Sequence, residues 1–152
     1  MKKLIPILLL AIMLVSLLSM TAYAANTQDT DYFVLTADNS FTYIPARNKL
    51  DSSSVYAKIT NLSVNSTVKA RVEGAQSAAH TFYNCTLSNN ADSSYVTLYL
   101  NTNHSIRNMV NERGYYVARL GFKSSGTTSG EGVTGWWSPD SSKTHTVATR
   151  DN

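Results

Sequence analysis

The sequence predicts an all-β fold, an antiparallel β-sandwich of about seven to nine short strands. Three observations carry that prediction. Apolar and polar residues alternate with period two in one segment after another. Asn- and Asp-containing turn signals separate those segments at short, fairly regular intervals. After residue 24 the chain is dominated by Ser, Thr, Asn and Tyr and carries few charges.

Taken in order, residues 1–24 read as a cleavable signal helix. Met1-Lys2-Lys3 supplies a positive start, and Leu4 to Leu18 an apolar run broken only by Pro6 and Ser16. Ala22-Tyr23-Ala24 completes the small-x-small pattern. The peptidase pocket admits only small side chains at those positions, so Ala22 and Ala24 precede the cut and Ala25 begins the mature domain, 25–152. The rival reading is a retained anchor, because Leu4 to Ala25 carries no charge and about 20 apolar residues span a bilayer. Ser16, Ser19, Thr21 and Tyr23 make that tail a poor match to hydrocarbon, so no stable membrane insertion is expected after cleavage. No cysteine follows the apolar run, which excludes lipoprotein processing, and the Met-Lys-Lys start has a bacterial style.

Short strands are expected at Tyr32–Leu35 and Phe41–Ile44. Val55, Ala57 and Ile59 then alternate with Tyr56, Lys58 and Thr60, and Val68, Ala70 and Val72 with Lys69, Arg71 and Glu73. Successive strand side chains point to opposite faces, so each segment has one apolar and one wet face. Asn61 to Ser66 reads as a hairpin between these two strands. Further strands are expected at His80–Leu87 and at Val96, Leu98 and Leu100. From 105 to 113 the pattern supports two readings. Ile106, Met109 and Val110 fall at helical spacing, with Ser105 as N-cap and Gly114 beyond the end. Alternatively the segment is a strand, and Asn111 to Gly114 a hairpin turn. Tyr116, Ala118, Leu120 and Phe122 alternate again, Ser124 to Gly135 reads as a loop, and strands close the chain at Val133–Trp137 and Thr144–Thr149. Turns fall at Asp38-Asn39, Asp51-Ser52, Asn65-Ser66, Asn89-Asn90 and Pro139-Asp140, where Asn and Asp bond their own backbone.

The 152 residues suit one exported domain behind its signal. Lys2 and Lys3 leave with the signal, so 13 basic residues become 11 against 10 acidic, and the net charge of +3 falls to +1. That balance gives no reason to expect nucleic acid as a partner. Cys85 is the sole cysteine. It has no internal disulfide partner and no neighbouring Lys, Arg or His to activate it, so it reads as a small buried hydrophobe; the alternative is an intermolecular bridge.

Chemical motifs are sparse. Gly130-Glu131-Gly132-Val133-Thr134-Gly135 matches G-x-G-x-x-G, but the dinucleotide mechanism needs a helix to open there. Trp136-Trp137-Ser138-Pro139 follows instead. His80, His104 and His145 are scattered without metal-ligand spacing. Neither a metal nor a cofactor is expected, and with no nucleophile–base pair or paired carboxylates the chain is read as not an enzyme. Asn61, Asn65, Asn84 and Asn103 each begin an Asn-x-Ser/Thr triplet, which this composition produces readily. The aromatics carry the functional signal. Trp136 and Trp137 are adjacent, so on a strand one faces the core and the other the outside. Trp136, Trp137, Tyr115 and Tyr99 are the candidate ligand-binding residues, because exposed rings stack on sugars or anchor interfaces.

Tyr115 to Gly121, followed by Val133-Thr134-Gly135-Trp136-Trp137-Ser138-Pro139-Asp140, resembles a group of small exported, Tyr- and Asn-rich β-proteins of Gram-positive bacteria. Their closing strand has the form Val-x-Gly-Tyr/Phe-Trp-x-x-Asp/Glu, and Trp136 replaces its first aromatic here. Ser129 to Gly132 is also similar to that group, although it lies late in this chain rather than early. The resemblance implies a functionally uncharacterised exported β domain and no catalytic residue. The expectation is a secreted or envelope-associated, non-enzymatic module that recognises a cell-wall glycan or envelope protein through exposed aromatics. A bacteriocin-like antagonist or its partner is the second reading, and a small secreted hydrolase the third.

Overall fold

Strands that are apolar on one face are stable only when that face is covered, and here two sheets cover one another. The computed structural model describes residues 26–37, 40–87, 95–126, 130–141 and 146–147. Residues 1–25, on which the expected signal with Ala22, Ala24 and Ala25 falls, the expected turns at Asp38-Asn39 and Asn89-Asn90, and most of Thr144–Thr149 lie outside those residues. The strands are β1 (Thr30–Leu35), β2 (Thr42–Tyr43), β3 (Arg47–Asn48), β4 (Val55–Leu62), β5 (Thr67–Ala75) and β6 (Tyr83–Asn84). They continue with β7 (Val96–Tyr99), β8 (Asn103–Ile106), β9 (Val117–Ser124), β10 (Gly132–Ser138) and β11 (Thr146–Val147).

The first sheet has the order β1-β10-β4-β8-β11, antiparallel throughout except for the β8–β11 pair. The second is centred on β9 and β5, which pair along Val68↔Ser124 to Ala75↔Val117. β2 and β3 share the outer edge of β9, and β7 and β6 share the outer edge of β5. The inward set is the apolar half of each alternation: Val55, Ala57 and Ile59 from β4, Val68, Ala70 and Val72 from β5, and Ala118, Leu120 and Phe122 from β9. Tyr32 of β1 stacks on Phe122 across the layers with ring centroids 5.0 Å apart. The all-β sandwich is therefore the observed fold, with eleven strands among the described residues; β1, β4, β5 and β10 run longer than their alternation suggested, whereas β2 and β6 are only two residues each.

Two local expectations change. Asn61 to Ser66 is not a hairpin, because β4 and β5 lie in different sheets. Leu62 and Val68 enter one core from opposite layers, so the chain must cross between them. Ser63 N still donates to Gly132 O of the first sheet (3.1 Å) before that crossing. The segment 105–113 is not a helix. Its first part is β8, and residues 110–114 make one turn, with Arg113 N bonded to Met109 O (3.1 Å) and Gly114 at φ 73°. One hydrogen-bonded turn does not repay the cost of helix nucleation, whereas Ile106 gains complete burial on the strand. That turn joins the two sheets and is not a hairpin.

Candidate functional site

β10 carries the closing aromatic pair, and its geometry depends on a bulge. β4 has one extra residue, Thr60, opposite the Thr134–Gly135 step, and the Thr60 hydroxyl donates to Thr134 O (3.2 Å). Gly135 is required beside it, since a Cβ there would overlap the Lys58 carbonyl oxygen and approach the Tyr32 hydroxyl to 2.7 Å. The alternation then sends Trp137 inward, 2 % exposed, and Trp136 outward, 43 % exposed.

Trp136 sits in a row that crosses four strands. Asp31 of β1 is directly opposite it on one side and Lys58 of β4 on the other, and Lys58 in turn faces Asn103 of β8. The Lys58 ammonium lies 5.4 Å from the Trp136 ring centroid, close enough for a cation–π attraction that steadies the ring. Phe33 and Leu35 share this outward face of β1 and are largely exposed. An apolar plane flanked by a carboxylate, an ammonium and an amide is the result.

The other sequence candidates do not converge there. Trp137 is part of the core under the Arg47 guanidinium, 5.5 Å from its ring, and its carbonyl accepts from Arg47 Nη1 (3.2 Å). It therefore leaves the ligand-binding set, because strand parity places it inside. Tyr115 is half-buried, stacked on Tyr83 at 6.0 Å and packed over Gly74. Tyr99 is exposed, but it lies opposite Thr67 on the outer face of the second sheet.

That second face holds a group of residues which the sequence reading passed over as wet alternation. Glu73 of β5 is nearly buried and pairs with Arg71 and Arg119, each at 2.6 Å. The Tyr43 hydroxyl donates to Glu73 Oε1 (2.7 Å), and Arg71 donates to that hydroxyl. The Arg119 guanidinium carbon lies 3.8 Å from the Tyr43 centroid and 4.0 Å from that of Phe82. Arg71 lies 4.3 Å from Phe41. Rings and guanidinium groups thus alternate across the sheet. Gly121 makes room for them, since a Cβ there would be 2.5 Å from the Tyr43 ring. Burial, reinforced by the bond to Glu73, pushes the Tyr43 phenol above its ordinary value. The signal available beforehand was the placement of Lys69, Arg71 and Glu73 on one face of β5, with Arg119 and Lys123 on one face of β9.

The remaining titratable groups are structural in placement. His104 is buried; its Nε2 accepts from Tyr99 N–H (2.9 Å), and burial lowers its pKa. His80 is exposed beside Ser77 (2.6 Å), and His145 lies outside the described residues. Among the described residues no three His, Cys, Asp or Glu groups gather as metal ligands. Cys85 is buried, its thiol donates to Tyr83 O (3.3 Å), and burial raises its pKa. Gly130 to Gly135 leads into β10 and not into a helix. Residues 20–141 match the model of a family described as a protein of unknown function, DUF2712. No curated protein and no solved structure matches the chain.

Proposed function

This chain belongs to the DUF2712 family, and we propose that it is an exported, non-enzymatic module that holds a glycan of the cell envelope against the Trp136 row. The observation that carries this reading is the registered line Asp31–Trp136–Lys58–Asn103. A sugar has an apolar CH face and a rim of hydroxyls. An exposed indole takes the first, while the carboxylate, ammonium and amide beside it take the second. The signal-like start and the resemblance to small exported Gram-positive proteins support placement outside the cytoplasm. A second reading, an envelope protein as ligand, is favoured by β1. Among the described residues that strand has β10 on one side only, leaving an edge to which an extended peptide can add.

Glycan arrays and cell-wall pull-downs with wild type and Trp136→Ala test the proposal. Loss of the stacking plane should weaken glycan binding at least about tenfold, on the order of 1.4 kcal/mol. Lys58→Gln should weaken it less. Undiminished binding by a folded Trp136→Ala protein would sink the reading. Peptide capture that survives Trp136→Ala and fails on a Pro substitution in β1 would replace it with strand addition.

A further inference from the structure

The outer face of the second sheet contains an arrangement that works against folding. Lys69 of β5 and Lys123 of β9 are direct cross-strand partners, and Thr97 of β7 continues the same row beside Lys69. Directly opposed side chains on one face have Cβ atoms about 5 Å apart, and like charges there are destabilising. Neither lysine has a carboxylate within salt-bridge reach among the described residues. Lys69 is instead held 5.0 Å from the Tyr95 ring centroid. The nearest acid on the face, Glu73, is already bound to Arg71 and Arg119. Lys69, Arg71, Arg119 and Lys123 against Glu73 give this face +3, equal to the formal charge of the entire chain. Arg71 also retains an Nε–H with no acceptor.

We propose that Lys69 and Lys123 form an anion site for phosphodiester groups, and that its occupant is a polyol-phosphate chain of the cell envelope. A phosphodiester chain suits this lysine pair because each diester carries a full negative charge at any working pH and repeats it along the chain, so that neighbouring phosphates can meet the two ammoniums separately. A chain without bases fits best, because Phe41, Tyr43, Phe82 and Tyr95 each have a cation over the ring, which leaves Tyr99 as a single exposed ring rather than a row on which successive bases could stack. The site lies on the sheet opposite Trp136 and does not depend on the glycan reading, apart from the shared envelope setting.

The test is titration of the purified protein with a synthetic glycerol-phosphate oligomer at several salt concentrations, compared with Lys69→Gln/Lys123→Gln. The double variant should lose at least about tenfold in affinity. Its log K against log salt slope should shrink by about 1.4, the value for two phosphate contacts on a single strand. Its melting temperature at low salt should stay level or rise, because a repulsion is removed. Arg107→Gln, which neutralises an exposed cation after β8, should bind as wild type. Unchanged affinity in the lysine variant overturns the proposal. So does a fall in its melting temperature, which would make the lysines structural. Equal lysine-dependent binding of a single-stranded oligodeoxynucleotide or of phosphatidylglycerol vesicles would replace the polyol-phosphate chain with that ligand.

Discussion

Removing the charge of Asp140 while keeping its shape should be among the most damaging single changes in this domain. Lys49 and Asp140 have side chains that are both 0 % exposed, with Nζ and Oδ1 2.9 Å apart. The ammonium spends its other protons on Ser53 O (2.7 Å) and Pro139 O (2.9 Å). The second carboxylate oxygen accepts from Asn26 N (2.7 Å) and Leu50 N (3.1 Å). Asp140→Asn leaves the buried ammonium with only the partly exposed Asp51 carboxylate, 3.8 Å away, as counter-charge, which costs about 3 kcal/mol, the low end for breaking a buried pair. Against a total stability of about 5–15 kcal/mol, that is a large share, and it lowers Tm by roughly 10–15 °C for a domain of this size. Lys49→Met in the same protein removes the stranded charge, so the double variant should be more stable than Asp140→Asn alone. Urea unfolding near neutral pH, followed by fluorescence of the buried Trp137, measures both. Burial alone would push the Asp140 carboxyl up, but the bonds from Lys49, Leu50 and Asn26 outweigh it and hold the carboxyl below its ordinary range. A depressed carboxylate stabilises the fold above its unfolded value, about 3.9, and that contribution disappears as pH falls through the lower folded value. The gap between wild type and variant should therefore persist at neutral pH and close only in acid. A cost below about 1 kcal/mol, or a double variant no better than the single, would refute the reasoning that the pair is dry and mutually dependent.

Gly135→Ala should destabilise at or above the upper end of the roughly 1–3 kcal/mol seen for overpacking, because the new methyl meets the Lys58 carbonyl, which is backbone and cannot swing away. Denaturant midpoints decide this, and an alanine variant as stable as wild type would remove the bulge from the account. Burial lowers the His104 pKa, so stability should be level above the unfolded value of about 6.5 and fall as pH drops toward the folded one. His104→Gln should flatten that slope in urea midpoints taken from about pH 8 to about pH 5; an unchanged slope assigns it to another group. Trp137→Ala should cost about 3–5 kcal/mol, whereas Trp136→Ala should cost under about 1 kcal/mol, and similar losses for the two would contradict the parity of β10.

The strands were legible wherever alternation was long. Val55 to Thr60 and Val68 to Glu73 placed residues that the core now holds, and so did Tyr116 to Lys123 apart from Tyr116 itself, which precedes β9 and is exposed. The adjacent tryptophans were legible too, since period two separates neighbours whatever the tertiary context. Sheet membership was not. The polar run Asn61 to Ser66 carries the same turn chemistry for a hairpin as for a crossing between sheets, and only the demand that Leu62 and Val68 fill one core decides between them. Asp140 read as a turn residue because Pro139-Asp140 is a common bend. Its partner Lys49 is far away in sequence, so the ion pair left no local trace. The ladder of Arg71, Tyr43 and Arg119 was hidden for the same reason: its parts come from β5, β2 and β9, and each alone resembles an ordinary solvated face.

The clasp at Asp140 has a consequence for when this chain can fold. Asn26 and Asp140 are 114 residues apart, and among the described residues the strand partner of β1 is β10, late in the chain. No early segment can assemble this half of the sandwich alone, because loop closure of that length precedes any reward from the contacts. Emerging residues must wait, extended, for the closing strand. Joining β1 to β10 thus ties completion of the fold to the presence of the chain as far as Ser138.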